Sequence, residues 1–156
     1  MRVLRLAAVC PAAIGMAAIA AEAGQAMSAC TLFTKDELRP FIRNRVFDLM
    51  QPQADPVGGG SSCSYAGVTI QLDPFPISVI QSAASKDKAN YEIIPGVGDQ
   101  AYFHWNARAE AAEIAIRVGQ RVFTAQVDDD PQGGESPDSV KARAIALARA
   151  AAAKLR

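Results

Sequence analysis

Ala112-Glu113-Ile114-Ala115-Ile116-Arg117-Val118-Gly119-Gln120-Arg121-Val122-Phe123-Thr124-Ala125-Gln126 is the stretch that decides the fold. Ile114, Ile116 and Val118 recur at every second position, and Val122, Thr124 and Gln126 resume that spacing after Gly119-Gln120. Period-two alternation puts successive side chains on opposite faces of a strand. Gly-X is the two-residue connection of a type II′ turn, so the stretch reads as a β-hairpin. Ala101 to Trp105, just upstream, reads as another strand.

On the C-terminal side, Asp128 to Pro137 is a polar loop. A helix then opens with Ser136 as N-cap and Pro137 at the first helical position, where a missing amide costs nothing. Asp138 stands in the first turn, with Arg149, Lys154 and Arg156 toward the end, as the helix macrodipole favours. Val140, Ala144, Leu147, Ala148, Ala151 and Leu155 form one apolar stripe.

On the N-terminal side, Pro95-Gly96-Val97-Gly98-Asp99 is a compact turn, and Tyr91 to Ile94 a short extended piece. Residues 77–89 have few breakers and suit a helix. Cys63 to Leu72 alternates as a strand, with Gly67 marking a turn or bulge. Gln51 to Ser62, with Pro52, Pro56 and Gly58-Gly59-Gly60, reads as a loop. No Lys-Ser/Thr pair follows those glycines, which excludes a phosphate-cradling loop. Thr34 to Glu37 is a capping box, flanked by Phe33 and Leu38 as a hydrophobic staple. The spacing of Leu38, Phe41, Ile42, Val46 and Leu49 predicts a helix over 35–50, kinked or broken at Pro40. The expected fold is α+β: an antiparallel sheet of about five strands, packed by an N-terminal, a middle and a long C-terminal helix.

The chain opens as a signal peptide. Arg2 and Arg5 precede an apolar run from Leu6 to Ala20, and Ala21-Glu22-Ala23 and Gly24-Gln25-Ala26 both offer small-x-small cleavage sites. The expected organisation is a signal peptide over 1–26 and one α+β domain over 27–156, periplasmic or secreted, with no membrane span after cleavage. Removing residues 1–26 takes two arginines and one glutamate from 16 basic and 16 acidic residues, leaving 14 and 15. A near-neutral domain has no field to steer nucleic acid.

Cys10 leaves with the signal. An oxidising compartment favours a disulfide between Cys30 and Cys63. Two alternatives stand beside it. Met27-Ser28-Ala29-Cys30 loosely follows a lipobox, which would acylate Cys30 and tether the domain to the envelope, or both thiols are free.

Several of these segments together resemble a known kind of protein: Cys30-Thr31-Leu32-Phe33-Thr34-Lys35-Asp36-Glu37-Leu38, Cys63-Ser64-Tyr65, Pro95-Gly96-Val97-Gly98-Asp99-Gln100-Ala101-Tyr102, the hairpin and the Ala-rich terminal helix. The chain is similar, over about residues 30–155, to small exported bacterial periplasmic proteins and lipoproteins with a PsbP-like sandwich. That resemblance implies the fold and a paired Cys30–Cys63. It carries no catalytic residues.

No catalytic or cofactor motif stands out. His104 is the only histidine, whereas hydrolytic triads need a nucleophile beside their base, and zinc sites usually need further His or Cys ligands. Asp128-Asp129-Asp130 lacks the alternate spacing of a calcium loop, and Pro131 interrupts it. Asp36 and Glu37 are explained by capping and the helix dipole. Alternation puts Tyr102 and His104 on one face of their strand and Phe103 and Trp105 on the other. One face must be core, and the other is a candidate binding surface. The candidates are Tyr102, His104 and Trp105, with Gly96, Gly98 and Asp99 of the adjacent turn. The expected role is non-enzymatic, without a cofactor: binding an envelope protein or a small ligand. An envelope-tethered lipoprotein acylated at Cys30 and an unrecognised hydrolase are the alternatives.

Overall fold

The computed structural model describes residues 27–57, 59–128 and 134–156. The leading segment read as a signal peptide, with Cys10, lies outside them, as do Asp129 and Asp130. Among the described residues, seven strands form one sheet: β1 (Gln53–Val57), β2 (Gly60–Tyr65), β3 (Val68–Leu72), β4 (Tyr91–Ile93), β5 (Gln100–Asn106), β6 (Ala111–Val118) and β7 (Arg121–Asp128). Their order is β1-β2-β3-β7-β6-β5-β4, and every neighbouring pair is antiparallel. The described residues also form four α-helices: α1 (Ala29–Leu32), α2 (Lys35–Leu38), α3 (Ile77–Lys86) and α4 (Pro137–Lys154). The α+β class and the antiparallel sheet are as expected, but the sheet exceeds the expected five strands.

The hairpin sits where its sequence places it. Val118 pairs with Arg121, so Gly119-Gln120 is the whole connection. Gly119 has φ +59°, the positive angle that a type II′ turn requires at its first central residue. β7 is the middle strand of the sheet and pairs with β3 on its other side.

The two extra strands come from segments of weak alternation. β1 lies inside the stretch expected to be a loop, and β2 starts there and runs into the expected Cys63–Leu72 strand, which the turn at Ala66-Gly67 divides into β2 and β3. β1 is an edge strand, and an edge tolerates Pro56 because one side of the strand has no ladder to supply. Gly60 is required by a close crossing: a Cβ there would stand 2.0 Å from the Leu72 carbonyl oxygen. Backbone proximity, not flexibility, accounts for glycine at this position.

The helix expected over 35–50 is also corrected. α2 stops at Leu38 and tightens into a 3₁₀ turn over Arg39–Phe41 containing Pro40, and Ile42 is extended. Proline removes an interior helical hydrogen bond and clashes with the preceding turn. The chain then bends at Asn44, whose side-chain oxygen accepts from the Val46 amide at 3.0 Å. Lys35 Nζ closes the bend by donating to the carbonyls of Asp48 (2.7 Å) and Met50 (2.9 Å). With helical phase lost, Phe47 becomes the buried residue, while Val46 and Leu49 of the expected stripe are exposed. The middle helix matches its expected start but ends at Lys86 rather than near residue 89.

One sheet face carries the core. Val68, Ile70 and Leu72 of β3, Ile114 and Ile116 of β6, and Phe123 and Val127 of β7 are buried under α4 and the N-terminal segment. α4 contributes Val140, Ala144, Leu147, Ala148 and Ala151, all fully buried. The disulfide joins Cys30 of α1 to Cys63 of β2, which fixes the N-terminal segment to the same face.

Candidate functional site

The opposite face of the sheet is built differently. The alternation that sends apolar side chains toward α4 sends polar ones the other way. In register across that face stand Thr69 and Gln71 of β3 against Gln126 and Thr124 of β7, then Glu113 of β6 against His104 of β5. Among the described residues, only α3 covers this face, and it does so incompletely, since none of its residues is buried. Phe75 and Ile80 bridge from the α3 side, and a cleft of about 270 Å³ remains between helix and sheet.

The floor of the cleft is hydrogen-bonded. Thr124 Oγ1 donates to Gln71 Oε1 at 3.1 Å. Gln126 Nε2 donates to Asp128 Oδ1 at 3.0 Å. Asn106 Nδ2 donates to Glu113 Oε1 at 2.8 Å, and His104 Nδ1 lies 3.4 Å from Glu113 Oε2. Among the described residues, these bonds use one end of each glutamine amide and leave the Gln71 donors and the Gln126 acceptor without a partner. Tyr91 stacks on the His104 ring, with centroids 4.8 Å apart. Burial pushes the Tyr91 hydroxyl above its usual pKa, and the nearby Glu113 and Asp87 carboxylates push it further. Tyr102 is only 8% exposed. Among the described residues its hydroxyl has no hydrogen-bond partner, an unusual state for a buried polar group.

The six residues expected to share a surface do not do so. Tyr102 and His104 line the cleft. Trp105 lies on the other face of β5, partly buried against the core. Gly96, Gly98 and Asp99 lie at the far end of β5, docked on the β6–β7 hairpin. There the Asp99 amide donates to the Arg117 carbonyl at 2.8 Å, and Asp99 Oδ2 accepts from the Gly119 amide at 2.8 Å. A Cβ on Gly98, at φ +59°, would stand 2.5 Å from the Arg117 carbonyl oxygen. Gly98 and Asp99 hold the turn against the hairpin, Gly96 has open space around it, and none of the three lines the cleft.

Sequence reasoning missed Tyr91, Glu113, Gln71, Thr124 and Gln126. The signal for most of them was the alternation already used for β5, extended to β3, β6 and β7. Strand order was the missing term: β3 is distant in sequence and adjacent to β7 in space.

The Cys30–Cys63 disulfide lies with the core, on the face away from the cleft. Among the described residues, no group of three or more His, Cys, Asp or Glu side chains could hold a metal ion. The aspartate run weighed as a calcium loop falls mostly outside the described residues, which include Asp128 alone. No helix among the described residues is long and apolar enough to cross a membrane. No protein-family model, no curated protein and no solved structure matches this chain.

Proposed function

We propose that this chain is an exported, PsbP-like binding domain that takes a small ligand in the cleft between α3 and the polar face of the sheet. The observation that carries the reading is Tyr102, 8% exposed and with no hydroxyl partner among the described residues, in a cleft that also leaves the Gln71 donors and the Gln126 acceptor open there. A buried unpaired hydroxyl costs on the order of 1–3 kcal/mol, a cost that a ligand donor or acceptor recovers. Preformed clefts with a few convergent polar groups are the usual form of small-molecule sites. At about 270 Å³ the cleft is slightly smaller than the roughly 300–1,000 Å³ typical of such sites. It holds about nine water volumes at ~30 Å³ each, enough for a ligand of amino-acid or nucleobase size.

The export signal and the disulfide support a compartment outside the cytosol, since such bonds persist under oxidising conditions. A Cys30 sulfur bonded to Cys63 is not free to carry a lipid thioether, which favours the untethered form over an acylated one. His104 with Glu113 places an acid beside a base, but the nucleophile of a hydrolytic set is not supplied by a serine or cysteine lining the cleft. This favours binding without chemistry.

The test is amide chemical-shift mapping of the purified protein against a library of water-soluble metabolites. Shifts confined to Tyr102, His104, Glu113 and Thr124 are expected. Shifts that fall elsewhere, or none across the library, overturn the reading.

A further inference from the structure

The chemistry of the cleft limits what it can hold. Among the described residues, Glu113 supplies the one acidic side chain of the lining, and no lysine or arginine lines it. Each Glu113 oxygen has a single neighbour, Asn106 on one and His104 on the other, so lone pairs remain open to a further donor. Asp128 shares this face of the sheet beside Gln126. Asp87, capped by the Asn90 side chain at 2.8 Å, sits near enough to Tyr91 for its charge to be felt there. Arg117, on the same face, is turned away toward Asp99, Gln100 and the Gly119 carbonyl. The cleft is therefore locally negative in a chain with no net charge.

Aromatic rings complete the picture. Tyr91, Tyr102 and Phe75 line the same space as Glu113. Ring faces attract cations and repel anions through the ring quadrupole. An anionic ligand would meet a carboxylate and three aromatic side chains, with no compensating cation among the described lining residues.

Resting on the small-ligand reading above, we infer that the cleft selects a small organic cation: an amine or amidinium group on an apolar or aromatic body. The cationic N–H groups donate to Glu113 and to the unpartnered Tyr102 hydroxyl, while the body lies on Phe75 and Ile80. This assignment differs from mere occupancy because it predicts the sign of charge that binds.

The experiment is calorimetric titration of the purified protein with three probes of one shape: phenethylammonium, 2-phenylethanol and phenylacetate. The cation is expected to bind at least about tenfold more tightly than the alcohol, and phenylacetate not to bind. Affinity for the cation should weaken as salt is raised. Glu113→Gln should bring the cation down to the level of the alcohol, with the circular dichroism spectrum unchanged. Tyr102→Phe should weaken the cation several-fold and leave stability intact. Equal binding of cation and alcohol, tighter binding of phenylacetate, or no binding of any probe at millimolar concentration each overturns the cation assignment. The small-ligand reading fails separately, when the metabolite library also leaves the cleft amides unmoved.

Discussion

His104 Nδ1 lies 3.4 Å from Glu113 Oε2, directly across the β5–β6 ladder, with the Tyr91 ring stacked on the imidazole. Both side chains are part-exposed, at 25% and 39%. Part-exposed pairs of this kind contribute about 0–1 kcal/mol. His104→Gln is therefore expected to shift unfolding stability by less than about 1 kcal/mol. A urea titration showing a loss of several kcal/mol would mean that the pair holds the fold rather than serving the cleft.

The Tyr102 hydroxyl leads to a related prediction. Removing a buried hydroxyl that has no partner relieves a desolvation cost, so Tyr102→Phe should be neutral or stabilising, by up to about 1 kcal/mol. Thermal unfolding of the two proteins side by side decides it. A clear drop in melting temperature would reveal a structural partner for the hydroxyl.

Arg143 is buried at the centre of a second network. Its guanidinium donates to Glu135, to the Phe41 carbonyl at 2.7 Å and to the Asp128 carbonyl at 3.1 Å. One side chain of α4 thus holds the end of the 3₁₀ turn, the end of β7 and the approach to its own helix. Arg143→Ala leaves two carbonyls without this donor and Glu135 with only Ser139 and Arg43, and should cost about 3–5 kcal/mol. Arg143→Lys should rescue little, because an ammonium lacks the fork that reaches several acceptors at once. Chemical denaturation of both variants is the measurement.

The disulfide closes a loop between positions separated by 33 residues. In the chain-entropy treatment such a link stabilises by on the order of 4 kcal/mol. Denaturant midpoints with and without a reductant should differ accordingly. Unchanged midpoints would show that the N-terminal segment holds its place by packing alone.

Acid should weaken the fold through two carboxylates. Hydrogen bonds from Lys154 and from the Thr34 amide lower the Glu37 pKa from 4.5 to about 2. Burial opposes ionisation of Glu135, but hydrogen bonds from Arg143 and Ser139 outweigh it and leave its pKa lowered. A folded-state pKa below the unfolded value means stability that is present above about 4.5 and lost as pH falls toward 2. Melting temperature should decline across that window. Glu37→Gln should flatten part of the decline by lowering stability at neutral pH and leaving the acid end unchanged. An identical pH profile in the variant would remove Glu37 from the account.

Much of the architecture was legible because it is written in local periodicity. The β6–β7 hairpin, the strand before it and α4 are dense in alternating or helical spacing, and their caps and turn residues agree with that spacing. The N-terminal third was harder to read. Leu38 to Leu49 has helical spacing, but Pro40 interrupts the hydrogen bonds that would express it, and Phe47 is drawn into the core instead. The Gln53–Tyr65 hairpin has little apolar pattern, because β1 is an edge strand and four of the six residues of β2 are glycine or serine.

By itself, the sequence determined the β6–β7 hairpin, the strand before it and α4, where the sheet turns at Gly119, and that Tyr102 and His104 share a face, all consequences of neighbours along the chain. Only the tertiary structure decided that this face closes into a cleft and that Gly96, Gly98 and Asp99 lie apart from it. It also decided that Glu113, Gln71 and Thr124 complete the floor. Strand order brings β3, β7, β6 and β5 side by side, and contacts between residues some fifty positions apart, such as Gln71 with Thr124, follow from packing and loop closure rather than from any local pattern.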